Sequence, residues 1–150
     1  PFLFFTGLDN FVLTGKQIDA LRKHVLRGGT LVVNNALGLA TFHQAVVREM
    51  RRAFPQSDLA LLPQSHEIFR NLNSIQRVKY TPTLMKDKGD QLQGRPVLFG
   101  AKVGGRLCLL YSPYDLEGGW NEVRYPLSRG YQSASAKQLG CNIIMYAMEH

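Results

Sequence analysis

The chain has 150 residues, 45% hydrophobic and 19% charged, with 18 Lys and Arg against 11 Asp and Glu and a formal charge of +7. That is one domain with a core of its own and the composition of a globular protein. No apolar run approaches the roughly 18 residues of a membrane span, and no basic run of the tail-like kind exists, so neither a transmembrane segment nor a nucleic-acid partner is expected.

Phe2-Leu3-Phe4-Phe5 is a short, wholly apolar run closed by Thr6-Gly7. Its length and aromatic content predict a strand buried on both faces. The chain begins at Pro1 without Met, directly before this run, and has no signal peptide, which predicts that the true N-terminus is missing and with it any targeting signal or anchor. Loss of a first strand there would leave a bare sheet edge, a surface through which two copies would pair as a homodimer. Thr14 starts a helix, with Gln17 placed for a capping box. Ile18, Leu21 and Val25 form its apolar stripe, with Leu26 beside it. Gly28 supplies the left-handed residue after the last turn. Leu31-Val32-Val33 is the next buried strand. Two apolar strands joined by one helix make a right-handed parallel crossover.

Asn34-Asn35-Ala36 reads as the turn into a second helix, from about Leu39 to Ala53, with Phe42, Val46, Met50 and Phe54 on one side. Pro55 stops it. Asp58 to Pro63 reads as a short strand or an extended link, and Ser65 to Asn71 mostly as loop. Thr81 to Arg95 is polar and Gly/Lys-rich and reads as a long excursion from the core. Pro96 to Val103 and Arg106 to Tyr111 are strands joined by the hairpin turn Gly104-Gly105. Tyr111 to Arg129 is a long loop. A final helix begins near Ser133 to Ser135, with Ser135 and Gln138 placed for a capping box and Leu139, Ile143, Ile144 and Ala147 on its apolar face. Cys108 and Cys141 lie in apolar segments and read as buried free thiols.

In an open parallel sheet, ligands bind beyond the carboxyl ends of the strands. Three segments are predicted to meet there: Thr6 to Asn10, Asn34 to Gly38 and Ser112 to Trp120. They offer Asp9, Asn10, Asn34, Asn35, Tyr114, Asp115, Glu117 and Trp120, a set of carboxylates, amides and aromatic rings suited to a polar ligand such as a sugar or peptide. Taken singly, Asn34 and Asn35 read as helix caps, Asp9 as a turn residue and Trp120 as a plug on the core. His66, in Pro63-Gln64-Ser65-His66-Glu67, is the one loop histidine with a suggestive setting. Paired with Asp115, Asp9 or Glu67 it would be a base for hydrolysis of a glycan or peptide. One loop histidine does not make a zinc site. The G-x-S-x-G elbow is absent, and the turn after Val33 holds no Ser or Cys, so an activated nucleophile is not expected. No glycine-rich phosphate loop is present either. No cofactor and no metal are expected.

The order of Phe2 to Gly7, Leu26-Arg27-Gly28-Gly29 before Leu31-Val32-Val33, Phe42 to Phe54, Leu62-Pro63 with His66 and Ile68-Phe69, Gly105-Arg106-Leu107, Tyr111-Ser112-Pro113-Tyr114-Asp115, Trp120, and Gly140-Cys141-Asn142-Ile143 to Tyr146-Ala147 resembles the bacterial DUF4159 family over nearly the whole chain. The resemblance implies a flavodoxin-like sheet related to class I glutamine amidotransferase-like domains. It implies a periplasmic or envelope location, with membrane-anchored envelope proteins as partners. It supplies no catalytic role.

These readings predict one three-layer α/β domain over 1–150, with a mostly parallel sheet and a C-terminal antiparallel hairpin toward one edge. The function expected is a non-catalytic ligand- or protein-binding module. The alternatives are the His66-based hydrolase and an assembly domain whose basic helix faces dock a partner or lipid headgroups. Scattering of Arg22, Arg27, Arg48, Arg51 and Arg52 would weaken the last.

Overall fold

The computed structural model describes residues 2–123 and 125–150. β1 (Phe2–Gly7) and β2 (Thr30–Asn35) lie parallel, with Phe4 opposite Val32 and Thr6 opposite Asn34. The crossover between them is α1 (Gly15–Leu26). Its start is the predicted capping box: Thr14 Oγ1 accepts from Gln17 N at 3.2 Å, and Gln17 Oε1 accepts from Thr14 N at 2.8 Å. Thr14→Ala is expected to lower stability by about 1 kcal/mol and the melting temperature by about 3 °C, with Thr14→Ser near neutral, as read by thermal denaturation. Past the cap at Arg27, Gly28 has φ of 94°, which the absence of a Cβ makes easy. Leu26 stays 75% exposed, outside the buried stripe.

β2 is buried along its whole length and runs on through Asn34 and Asn35, where a turn was expected. The strand extends because both amides find buried partners. A 3-10 turn, Ala36–Gly38, leads into α2 (Ala40–Ala53), and then come β3 (Ala60–Leu61) and a second 3-10 turn, Glu67–Phe69. The expected excursion at Thr81 to Arg95 is instead a helix, α3 (Pro82–Leu92). Pro82 sits in the first turn, where its missing N–H costs nothing, and Leu84 is fully buried. Gln93 and Gly94, at φ 51° and 71°, end the helix.

β4 (Phe99–Val103) and β5 (Arg106–Ser112) form the expected hairpin. Gly104 and Gly105 both have positive φ, 59° and 83°, as a two-residue turn of matching twist requires. The sheet has five strands in the order β1-β2-β5-β4-β3. β1, β2 and β5 are parallel, while β4 is antiparallel to both neighbours. The sheet is therefore mixed, with β4 the one strand of the five that runs against the others, and the hairpin is not peripheral, since β5 is its central strand. α4 (Glu117–Trp120) and α5 (Ser133–Glu149) complete the chain. The predicted Ser135–Gln138 box does not form, because the Ser135 hydroxyl accepts from Lys79 N at 2.8 Å instead.

Successive strand residues point to opposite faces, so two apolar cores form. Leu31, Val33, Phe42, Val46, Met50 and Tyr111 pack under α1 and α2. Val32, Leu84, Leu110, Leu139 and Ile143 pack under α3 and α5. β1 is an edge strand rather than a doubly buried one: it pairs only with β2, and Phe2 and Leu3 are 39% and 42% exposed. Cys108 is buried in β5, but Cys141 is exposed on α5, against the reading of two buried thiols.

Candidate functional site

Because β1, β2 and β5 are adjacent and parallel, the three predicted segments leave the sheet at one end. Asn34 joins them. Its Nδ2 donates to Thr6 Oγ1 and to Asp115 Oδ1, each at 3.2 Å, and its Oδ1 accepts from Leu116 N at 2.9 Å. Asp115 is 3% exposed and engaged at both oxygens. Oδ1 also accepts from Gly118 N at 3.2 Å, and Oδ2 from the Ser128 hydroxyl at 3.3 Å. Its backbone holds the following segment in place, receiving Tyr131 N at 3.0 Å and donating to Arg129 O at 3.0 Å.

Beside this junction lies a cleft of about 860 Å³ lined by Lys79, Thr81, Asp115, Tyr125, Ser128 and Ser133, among others. The first turns of α3 and α5 both open onto it, and neither is capped by a side chain. Thr81 Oγ1 donates instead to Ser128 O at 2.5 Å and accepts from Gly130 N at 3.1 Å. The early α5 amides are therefore free of side-chain acceptors and can donate to a bound group. Gly119 lines the floor, and a Cβ there would collide with Ala136. Outside the cleft lining, Leu37 and Gly38 are both left-handed at φ 62° and 64°, and Arg129 N, next to the lining residue Ser128, donates to Leu37 O at 3.0 Å.

The other predicted residues divide by position. Asn35 faces away from Asn34, as neighbours in a strand must. Its amide exchanges hydrogen bonds with the Leu39 backbone at 2.9 and 3.0 Å and reaches the Tyr111 hydroxyl at 3.4 Å, so it organises the start of α2. His43 Nδ1 lies 3.0 Å from the same hydroxyl, and burial keeps this imidazole below its ordinary pKa. Asp9 is exposed and accepts from Asn10 N at 2.7 Å, while Asn10 is drawn to the Arg48 guanidinium at 3.1 Å. That loop is tied to α2, not to the cleft. The Tyr114 ring packs on the α5-side core, and burial raises its pKa. Glu117 opens α4 without lining the cleft. Trp120 packs on Phe4 at 5.1 Å and against Gly140, and its Nε1 donates to Ala136 O at 2.7 Å. It serves as a plug, and Tyr125, 55% exposed, is the aromatic ring presented at the cleft.

His66 is not brought to Asp115 or Asp9. Its Nδ1 accepts from Ile68 N at 3.2 Å, its ring packs on Tyr146 at 5.7 Å, and burial lowers its pKa. Tyr146 lies ten residues along α5 from Ala136, which touches Trp120, a rise of about 15 Å. The lining residues Thr81, Tyr125 and Ser133 were not singled out as ligand contacts from sequence. The signal available was Thr81-Pro82, a helix start, and it was hidden by the polar composition that followed. Among the described residues, no three His, Cys, Asp or Glu side chains gather to hold a metal ion, and no helix is long and apolar enough to cross a membrane.

Compared with known proteins, residues 1–148 match the family model described as a domain of unknown function, DUF4159. No curated protein and no solved structure matches the chain.

Proposed function

The chain belongs to the DUF4159 family, and from that premise we propose a non-catalytic ligand- or protein-binding module of the bacterial cell envelope that takes a polar ligand in the cleft beside Asp115. We also read the sheet as a relative of flavodoxin-like and class I glutamine amidotransferase-like domains. Its parallel β1-β2-β5 core, with helices on both faces, supports that reading. The envelope location is supported by the family resemblance.

The observation that carries the binding role is the state of Asp115. It sits where a ligand cleft is expected in such a sheet, yet three donors hold its carboxylate. A carboxylate so engaged positions its loops, and its oxygens are taken up by the fold rather than turned to a substrate. Around it are hydroxyls, free helix amides, Lys79 and the exposed ring of Tyr125. These donors and a flat aromatic face suit the hydroxyls and amides of a glycan or peptide.

Chitotetraose and trialanine serve as probes. Trp120 is the chain's single tryptophan and directly follows Gly119, which lines the cleft. Its fluorescence is expected to change saturably with one of the probes, while mass spectrometry finds that probe intact. Tyr125→Ala is expected to weaken binding about tenfold, the loss of one aromatic contact. Cleavage of a probe would overturn the non-catalytic reading, and no response to either would overturn the cleft as a site of this chemistry.

A further inference from the structure

The chain's charge is not spread evenly over its layers. From Gly15 to Ala53, which spans α1, its cap and α2, there are seven Lys and Arg against only Asp19 and Glu49, so this layer carries +5 of the total +7. α3 and α5, on the other face of the sheet, carry three basic and three acidic side chains and no net charge. The arginines are thus gathered rather than scattered. α1 and α2 lie side by side over one core, with Arg22 Nε donating to Ala53 O at 2.6 Å and its Nη2 to Arg52 O at 3.1 Å.

The cations divide by role. Arg48 and Arg52 hold the buried Glu49, and Arg22 holds the end of α2. Lys16, Lys23, Arg27 and Arg51 are exposed, and among the described residues none of them meets a carboxylate. The acidic groups near them are Asp19, which approaches Arg22 at 4.0 Å, and Asp9 and Asp58 in flanking loops. Aliphatic side chains stand out of the same layer: Leu26 is 75% exposed, Val12 65% and Val47 36%. On α1 the spacing of Lys16, Lys23, Leu26 and Arg27 places them along one stripe. On α2, Gln44, Val47, Arg48 and Arg51 line an open notch of about 480 Å³ with their neighbours.

We propose that the outer face of α1 and α2 docks on an anionic membrane surface, with Lys16, Lys23, Arg27 and Arg51 meeting lipid headgroups and Leu26 reaching between them. Charge complementarity is the main argument, since basic side chains held near an anionic leaflet attract it additively. The form of the face is the second. Its cations surround single aliphatic side chains and no exposed aromatic ring, whereas the core of a protein–protein interface is enriched in aromatic residues. Mobile headgroups can gather under single cations spaced across one face. A folded acidic partner would need its own charges placed to match.

The test is co-sedimentation of the full chain with vesicles of POPC, with and without POPG, at low and high salt. Binding is expected with POPG, at low salt, and not with POPC alone. Lys23→Glu/Arg27→Glu/Arg51→Glu is expected to reduce it by about tenfold or more, with Lys23→Gln/Arg27→Gln/Arg51→Gln as a milder version and the melting temperature confirming that each variant folds. Lys86→Glu/Lys88→Glu on α3 is expected to leave binding unchanged. Leu26→Ser is expected to weaken vesicle binding severalfold while leaving retention on polyglutamate unaltered. Absence of POPG binding, equal loss with the α3 variant, or tighter binding to polyglutamate or DNA than to vesicles would overturn the proposal.

Discussion

Asn34→Leu is expected to lower stability by about 4 kcal/mol and the melting temperature by about 10 °C. The shape is nearly kept, but Leu116 N and the Asp115 carboxylate lose a partner in a place water does not reach, and the exposed Thr6 hydroxyl loses one beside them. Asn34 is 0% exposed, and its amide is the acceptor for Leu116 N and a donor to both Thr6 and Asp115. A buried N–H left unpaired costs about 1–3 kcal/mol, and a carboxylate losing a donor costs more than a neutral group. Asn34→Asp is expected to be as damaging for a different reason: it sets a second carboxylate against Asp115. Urea denaturation checks both. A loss below about 1 kcal/mol for Asn34→Leu would mean that this amide is not the organiser of the three segments, and would return it to the list of ligand contacts.

The second large effect lies on the other face. Glu49 has a wholly buried side chain, yet both of its arginine partners are 45% exposed. Arg48 Nε donates to Oε1 at 2.7 Å, Leu13 N donates to Oε2 at 3.0 Å, and Arg52 donates to Oε2 as well. The carboxylate therefore fastens the segment before α1 to the middle of α2. Glu49→Ala is expected to cost about 3 kcal/mol, at the low end for a broken buried pair because the arginines keep half their hydration. Burial alone would raise the Glu49 pKa, but the bonds from Arg48 and Leu13, with the charge and hydrogen bond of Arg52, together outweigh it and hold it below the ordinary value. The folded state thus binds this proton less readily than the unfolded chain. The stabilisation is complete above the unfolded pKa of 4.5 and is lost as pH falls through the lower folded value. Urea midpoints followed from about pH 7 to pH 3 should fall less steeply for Glu49→Gln than for the parent chain. Parallel slopes would contradict this role.

Local chemistry was legible in the sequence wherever one residue type does one job. Thr14 with Gln17, Gly28, the uniformly apolar Leu31 to Val33 and Gly104-Gly105 each have few alternatives, and each stands where it was expected. The convergence of Thr6, Asn34 and Asp115 was also legible, because it follows from parallel strands sharing one end. Two things were not. α3 buries Leu84 beneath a polar exterior, so its periodicity is weak and its lysines, aspartates and Gly89 read as loop. The direction of a side chain in space was the other. Asn34 and Asn35 are adjacent in sequence and divided by the sheet, and His66 and Asp115 stand at different stations along α5. Burial of Trp120 against Gly140, which passes the exposed aromatic position to Tyr125, depends on the same tertiary packing.

Amide chemical-shift mapping with whichever of chitotetraose and trialanine perturbs Trp120 tests the cleft most directly. Perturbations are predicted at Gly118, Gly119, Ser133 and Ser135, the amides around Asp115 and the first turn of α5. His66 to Ile68, and Asp9 with Asn10, are predicted to stay silent. Shifts centred on His66 or on the Asp9 loop, with the cleft amides unmoved, would contradict the account and place the site elsewhere on the domain.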